Sequence, residues 1–277
     1  MQQKTRSVKI KFQVAGAHGA QTKQVVFGGG SFAIIAGPCS IESRDHFIET
    51  ARAVHAAGAC FLRGGIYKMR TKPDTFQGMG VSALGFVNEV KHEVGLPLVS
   101  EITDPRQLSD LADSVDMFQV GSRNMYNYEL LKELGHLRKP VMLKRAFAAT
   151  LEEWMKATEY LVQAGNEDII LCERGIRTFE TTTRNTLDLN SVAYLKAHTS
   201  FPVIVDPSHG TGRPELITPM SLAAIGAGAD GIMIEVHPRP KEALSDAHQA
   251  IDVKHFEDIV VKAGKVAAAL GRELERV

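Results

Sequence analysis

Eight short runs rich in Val, Ile and Leu recur along the chain, separated by longer stretches of helical period, and this alternation constrains the fold more than any other feature. The runs are Phe32–Ala36, Ala59–Arg63, Pro97–Ser100, Met117–Val120, Pro140–Leu143, Ile169–Cys172, Pro202–Val205 and Gly231–Ile234. Continuous apolar runs of this length suit strands buried on both faces, and neighbouring parallel strands need a crossover, usually a helix, between them. Eight such units in 277 residues match the size of one α/β domain, a (β/α)8 TIM barrel of about 250 residues. An open doubly wound sheet is the competing arrangement, but it binds nucleotides through a Gly-rich turn after its first strand. Here Gly28-Gly29-Gly30 precedes the first core run.

The helical stretches include 45–57, 81–94, 151–164, 191–196, 215–227 and 255–270. Asp104-Pro105 predicts the start of the third helix, because Asp at N-cap accepts from the first turn and Pro at N1 has no N–H to leave unpaired. The segments Val8–Val14 and Gln24–Phe27 alternate as a β-hairpin does and are expected to cap the barrel floor. The organisation expected is therefore a hairpin extension over 1–30 and a catalytic barrel over 31–277.

Composition removes several function classes. The 32 basic and 32 acidic side chains cancel, so no global field draws the protein to nucleic acid or anionic lipid. The stretch Pro219–Val236 is broken by glycines, Asp230 and Glu235, and no membrane span is expected. Three cysteines are too few for a disulfide scaffold, which points to a reducing cytoplasm. Cys60 and Cys172 fall inside strand candidates, where packing accounts for them.

In a parallel barrel the chemistry lies at the C-terminal strand ends, and there the residues fall into two groups. Arg63, Lys68, Arg70, Arg123, Lys144, Arg145 and Arg174 could clamp a phosphate and a carboxylate. Cys39, His209, Glu235 and Asp246 form a sulfur, nitrogen and oxygen donor set that suits Zn²⁺, Mn²⁺, Fe²⁺ or Co²⁺ better than Ca²⁺ or Mg²⁺. Ser208 and His209 are adjacent and point in different directions, which argues against a hydrolase triad.

Motifs in order along the chain resemble those of one family. They are Ile35-Ala36-Gly37-Pro38-Cys39-Ser40-Ile41-Glu42, Leu62-Arg63-Gly64-Gly65, Lys68-Met69-Arg70-Thr71, Phe76-Gln77-Gly78, Gly121-Ser122-Arg123-Asn124, Leu143-Lys144-Arg145, Cys172-Glu173-Arg174-Gly175, Asp206-Pro207-Ser208-His209 and Glu235-Val236-His237-Pro238. The chain resembles the 3-deoxy-D-arabino-heptulosonate 7-phosphate (DAHP) synthases, in the short class related to 3-deoxy-octulosonate 8-phosphate synthase. The resemblance implies a divalent metal (Mn, Zn, Fe or Co) held by Cys39, His209, Glu235 and Asp246. It implies phosphoenolpyruvate held by Arg63, Lys68, Arg123, Lys144 and Arg174, and an aldose phosphate met by Arg70 and Thr71. The implied reaction joins C3 of phosphoenolpyruvate to an aldehyde, with water adding at C2 and phosphate leaving, as the first step of the shikimate pathway. Lys68, Cys39 and His209 are the residues expected to carry catalysis, Lys68 or a water on the metal supplying the proton. A homodimer or homotetramer is expected for the family.

One position departs from the pattern. The family has Ser or Thr where this chain has Lys72, and Pro where it has Met69, which puts the aldehyde in question. Lys72 either turns to solvent beside Asp74 or meets the aldose phosphate as a point charge. The tracts Glu173-Arg174-Gly175-Ile176-Arg177-Thr178-Phe179 and Arg184-Asn185-Thr186-Leu187-Asp188 resemble the heptulosonate enzymes more than the octulosonate ones, and that resemblance implies erythrose 4-phosphate. The alternatives are arabinose 5-phosphate or another aldehyde, or a non-catalytic phosphosugar binder. The ends of the chain are too short for a regulatory domain, so no feedback inhibition through one is expected.

Overall fold

The computed structural model describes residues 5–16, 19–70 and 72–277. Strands β1 (Val8–Gly16) and β2 (Gly19–Phe27) form the antiparallel hairpin, with Val8 opposite Phe27. Eight parallel strands follow: β3 (Ser31–Gly37), β4 (Phe61–Arg63), β5 (Leu98–Ile102), β6 (Met117–Val120), β7 (Val141–Lys144), β8 (Ile169–Glu173), β9 (Val203–Val205) and β10 (Gly231–Glu235). Each pairs with its neighbour in sequence, and β10 pairs with β3 to close the barrel. A last short strand, β11 (Glu273–Leu274), adds to the start of β3. All eight runs read from the sequence are barrel strands, several displaced by one or two residues at an end.

Helices α1 (Arg44–Ala57), α2 (Leu84–Val94), α3 (Leu108–Leu111), α4 (Tyr128–Leu137), α5 (Leu151–Gln163), α6 (Leu189–His198), α7 (Pro207–Thr211), α8 (Pro214–Gly226) and α9 (Val253–Ala269) lie between or after the strands. Local chemistry starts them. Ser43 accepts from His46 N at α1, and Thr150 and Glu153 form a capping box at α5, each cap contributing about 1 kcal/mol. Asp104 caps as expected, accepting from Arg106 N, but what it opens is a 3-10 turn (Pro105–Gln107) that leads into α3. Two helices lie outside the stretches read from the sequence, although α4 buries Leu130, Leu131 and Leu134 at helical spacing. α7 has only five residues, and α4 carries Gly135 where a Cβ would stand 2.3 Å from Ala164 Cβ, so close helix packing overrides propensity there.

The strand alternation sorts two apolar layers. Phe32, Ile34, Ala36, Leu62, Phe118, Leu143, Leu171 and Ile234 face outward into the helix layer. Ala33, Ile35, Phe61, Met117, Met142, Ile170, Cys172 and Met233 face inward and share a cluster with Val8, Ile10, Phe12, Val14, Val25 and Phe27 of the hairpin. The hairpin therefore plugs the barrel, and its Lys9 and Lys11 border Asp116, Lys139 and Asp168, which lie just before β6, β7 and β8. With that end closed by the hairpin, the C-terminal ends of the strands form the open mouth of the barrel.

Gly37 is where the fold and the site meet. Its φ is 145°, and a Cβ there would stand 2.2 Å from Arg63 O. Any side chain would carry both backbone strain and a clash with rigid main chain. Gly37→Ala should therefore lower the free energy of unfolding by at least about 2 kcal/mol, measured by urea denaturation, and an unchanged midpoint would contradict the contact.

Candidate active site at the barrel mouth

The barrel closure brings distant residues together. Cys39 follows β3, and Glu235 ends β10 in register with Gly37. His209 sits in α7, whose N-cap Asp206 accepts from His209 N at 2.9 Å. Asp246 lies in the loop between β10 and α9. Donor atoms of Cys39, His209, Glu235 and Asp246 all lie within 4.8 Å of one another. Cys39 Sγ is 3.7 Å from His209 Nε2 and 3.3 Å from Asp246 Oδ2, and His209 Nε2 is 3.6 Å from Glu235 Oε2. Ser208 Oγ accepts from Glu235 N at 3.0 Å, so it turns away from His209 and no Ser–His pair forms.

Protonation is set by burial against a few cations. Burial first, and Glu235 next, push the Cys39 thiol up to about 12. Burial also raises Glu235, with Asp246 adding to the shift. Asp246 goes the other way: despite its burial, Lys68, as a charge and as a hydrogen-bond donor, holds it well below the carboxylate range. Lys68 Nζ lies 2.9 Å from Asp246 Oδ2 and against Cys39 Sγ. Burial lowers Lys68, but Cys39, Asp246 and Glu235 together raise it further, so it stays an ammonium. Burial keeps His209 neutral, far below the usual imidazole range. Its Nδ1 is 2.8 Å from the carboxylate of Asp206, which is paired at 2.6 Å with Lys144 Nζ. That arrangement favours the proton on Nδ1 and turns the Nε2 lone pair toward Cys39 and Glu235. Two anionic oxygens, a sulfur and a neutral imidazole around one point fit a divalent transition-metal ion.

The loop carrying Asp246 is held at several points. Asp246 itself has φ 52°, a conformation L residues rarely adopt. Leu244 N donates to Glu42 Oε1 at 2.7 Å, and Ser245 Oγ meets Ser40 Oγ at 3.1 Å. Gln249 donates to Glu235 Oε2 at 2.8 Å and accepts from Arg184 at 2.5 Å. Glu42, His46 and His237 also bring three donors together, but His237 Nδ1 accepts from Arg239 N at 2.9 Å. The proton of a neutral His237 then sits on Nε2, facing Glu42 Oε2 at 3.7 Å, which leaves no lone pair for a metal. This second group is a bracket for the Asp246 loop.

Beside the donor set a cleft opens at the barrel mouth. Arg63, Lys68, Arg70, Lys72, Arg123, Lys144, Arg174 and Arg184 line it, against the carboxylates of Glu101 and Asp246. Buried Nη1 of Arg63 has no hydrogen-bond partner among the described residues. Burial brings Arg174 down to about 10, with Asp206 opposing and Arg184 adding, so it remains charged at neutral pH. Buried cations short of partners are what an anion site requires. Lys72 lines the cleft with Arg70, whose Nε donates to Thr75 Oγ1 at 3.2 Å. Thr71 lies outside the described residues.

Arg145 does not join the cation ring. Its Nη1 meets Glu173 Oε2 at 3.0 Å, Asp188 Oδ2 at 3.0 Å and Ser191 Oγ at 2.8 Å, and Nε donates to Ala149 O. The reason is the two-residue period of a strand: Lys144 points inward, so Arg145 points outward. Glu173 and Arg174 divide in the same way. Sequence reasoning missed Asp206, Glu101, Gln249, Phe147 and Arg184 as site residues. Asp206 had a readable signal, three residues before His209 at a helix N-cap, while the others lack any such local mark.

The model of the DAHP synthetase I family matches residues 8–270. The chain belongs to the DAHP synthetase I family. Phospho-2-dehydro-3-deoxyheptonate aldolase of Thermotoga maritima is 47% identical over 89% of this chain and 73% of that protein. A 2-dehydro-3-deoxyphosphooctonate aldolase from Bradyrhizobium is 28% identical over 82% of this chain and 85% of that protein. The solved truncated form of the Thermotoga maritima 3-deoxy-D-arabino-heptulosonate 7-phosphate synthase superposes with a TM-score of 0.85 at 44% identity, covering 90% of this chain and 92% of that one. As a DAHP synthetase I family member the chain is an enzyme, a C–C bond-forming transferase of the 3-deoxy-7-phosphoheptulonate synthase class that condenses phosphoenolpyruvate with an aldose phosphate. The non-catalytic alternative falls away. No helix among the described residues is long and apolar enough to cross a membrane.

The protonated Cys39 thiol sets a pH dependence. A divalent ion taken by this group through sulfur must displace a proton, so its affinity should rise about tenfold per pH unit across neutrality and fall as pH drops. Calorimetric titration in buffers of different ionisation heat should count close to one proton released. No proton release, with affinity flat between pH 6 and 8, would contradict a sulfur ligand.

Proposed function

We propose that the enzyme condenses phosphoenolpyruvate with erythrose 4-phosphate and water to give DAHP and inorganic phosphate. In this reading Cys39, His209, Glu235 and Asp246 hold a divalent Mn, Zn, Fe or Co ion. The observation that carries it is the junction of the four-donor group with a cleft lined by cations. Arg63, Lys68, Arg123, Lys144 and Arg174 take phosphoenolpyruvate, Lys144 being paired with Asp206. Arg70, Thr71 and Lys72 take the phosphate of the aldose, and Arg184 lines the same cleft.

When bound, the ion supplies Lewis-acid polarisation of the aldehyde oxygen. The chain's own residues do the rest. The guanidinium forks fix two mutually repelling anions side by side, which removes most of the entropic cost of meeting, and they neutralise charge on the departing phosphate. Carbon C3 of phosphoenolpyruvate bonds to the aldehyde carbon, water oxygen adds at C2, and the C–O bond to phosphate breaks as C2 becomes a ketone, the two protons of the water going to the departing phosphate and, by way of Lys68, to the new alkoxide. Lys68, an ammonium 2.9 Å from Asp246, is placed to protonate the new alkoxide, and Asp246 then keeps it ready for reprotonation. The enzyme is proposed to act in the cytoplasm as a homodimer or homotetramer, in keeping with its free cysteines and its family.

Lys72 favours one second reading, the same chemistry on a different aldehyde such as arabinose 5-phosphate. Phosphate release from phosphoenolpyruvate separates the two. Turnover of erythrose 4-phosphate at least tenfold more efficient than of arabinose 5-phosphate supports the first, and the reverse order the second. Excess chelator should abolish activity and Mn²⁺, Zn²⁺ or Co²⁺ should restore it, whereas Cys39→Ala should not be restored. Full activity in chelator would remove the metal from the account.

A further inference from the structure

Gln249 is fully buried in the loop between β10 and α9, and its side-chain amide stands between a carboxylate of the donor group and a cation of the cleft. Nε2 donates to Glu235 Oε2 at 2.8 Å, and Oε1 accepts from Arg184 Nη1 at 2.5 Å. The backbone that carries the amide is fixed on both sides. Gln249 N donates to Asp246 O at 3.0 Å, Ile251 N to Glu235 O at 3.1 Å, and His237 N to Ile251 O at 3.0 Å. The return leg of the loop is thereby stitched to the end of β10, with Val236 and Ile251 in a parallel bridge. Arg184 is anchored as well, its N donating at 2.9 Å to the carbonyl of Thr211, the last residue of the α7 turn that carries His209.

These contacts leave the amide one orientation. Turned over, it would set its carbonyl against the Glu235 carboxylate and its NH2 against the Arg184 guanidinium, two repulsive contacts in place of two hydrogen bonds. The Glu235 carboxylate is therefore held by a donor that cannot turn away. A lysine or arginine in this place would also donate, but its charge would neutralise the carboxylate and repel a divalent ion. Arg145 holds Glu173 in that way at 3.0 Å, and neither residue lines the cleft. An amide orients without charge. Hydrogen bonds that fix a ligating carboxylate matter to the ion it holds, and loss of such a partner typically weakens binding about 10- to 100-fold.

We propose that Gln249 is a positioning residue for the metal centre: its amide fixes Glu235 in the ligating orientation, and Arg184 fixes the amide. This rests on the assignment of Glu235 as a metal ligand. One short turn then governs two of the four donors, Asp246 through the main chain and Glu235 through the side chain of Gln249.

The test is titration of the full chain with Co²⁺, followed by its visible absorption, in Gln249→Met, Gln249→Asn and Glu235→Gln. Gln249→Met keeps the bulk and removes both hydrogen bonds, and Gln249→Asn keeps an amide but withdraws it by a methylene. Each should raise the Co²⁺ Kd about tenfold and alter the absorption bands, which report ligand geometry and which a loss of fold stability alone would not move. Added to Glu235→Gln, Gln249→Met should cost less than about twofold more, because the amide acts through that carboxylate. A parent Kd and spectrum in Gln249→Asn, or a full tenfold further loss on top of Glu235→Gln, overturns the role. Should Gln249→Met fail to fold, Gln249→Asn decides alone. Glu235→Gln by itself tests the premise: an unchanged Kd removes Glu235 from the ligand set, and the role of Gln249 goes with it. If Glu235→Gln weakens binding and neither Gln249 variant does, only the positioning role falls.

Discussion

The pairing of β10 with β3 is the contact on which the rest of the molecule depends. It runs from Gly231 opposite Ala33 to Glu235 opposite Gly37, and Val236 N extends it by donating to Gly37 O at 2.9 Å. Closing the ring removes both sheet edges. It also sets Cys39, from the first barrel strand, beside Glu235, from the last, across almost 200 residues of chain. His209 arrives from the neighbouring β9 exit. The site is thus a consequence of closure: with an open sheet these donors would stand at opposite edges.

Around that point the electrostatics are arranged for ligands and not for stability. Cys39, Glu235 and Asp246 are crowded in a buried pocket that raises two of them, with Lys68 offsetting the third. Buried ion pairs of this kind contribute little net stability, because desolvation cancels most of the attraction. What the arrangement provides is preorganisation. Asp206, paired with Lys144 and beside His209, links the cations of the cleft to the donor group. Arg184 and Gln249 link the cleft wall to Glu235 and Asp246. The positive φ of Asp246 costs of order 1 kcal/mol, which the contacts of Leu244 with Glu42 and of Ser245 with Ser40 offset.

Much of this was legible in the chain, for physical reasons that differ from element to element. Barrel strands are buried on both faces, so each left an unbroken apolar run, and the residue after each run marked the mouth. That logic reached Cys39, His209 and Glu235. Asp246 came with the donor chemistry. Arg145 was misread because a run of cations at a strand exit says nothing of alternation until the register is fixed, and one residue's step turned it into the helix layer. Phe147, Arg184 and Gln249 stayed hidden because they sit in turns and loops whose path is set by tertiary contacts. The short α7 was invisible to a 3.6-residue period, although its Asp-Pro cap was in plain view.

The central claim is that the closure of β10 on β3 builds a metal centre with one sulfur ligand from Cys39. X-ray absorption spectroscopy of the Zn²⁺- or Co²⁺-loaded enzyme addresses it directly. One sulfur scatterer near 2.3 Å, accompanied by nitrogen and oxygen ligands near 2.0–2.2 Å, and lost in Cys39→Ser, is the result this account predicts. A shell of nitrogen and oxygen alone in the parent enzyme, unchanged by Cys39→Ser, would contradict it.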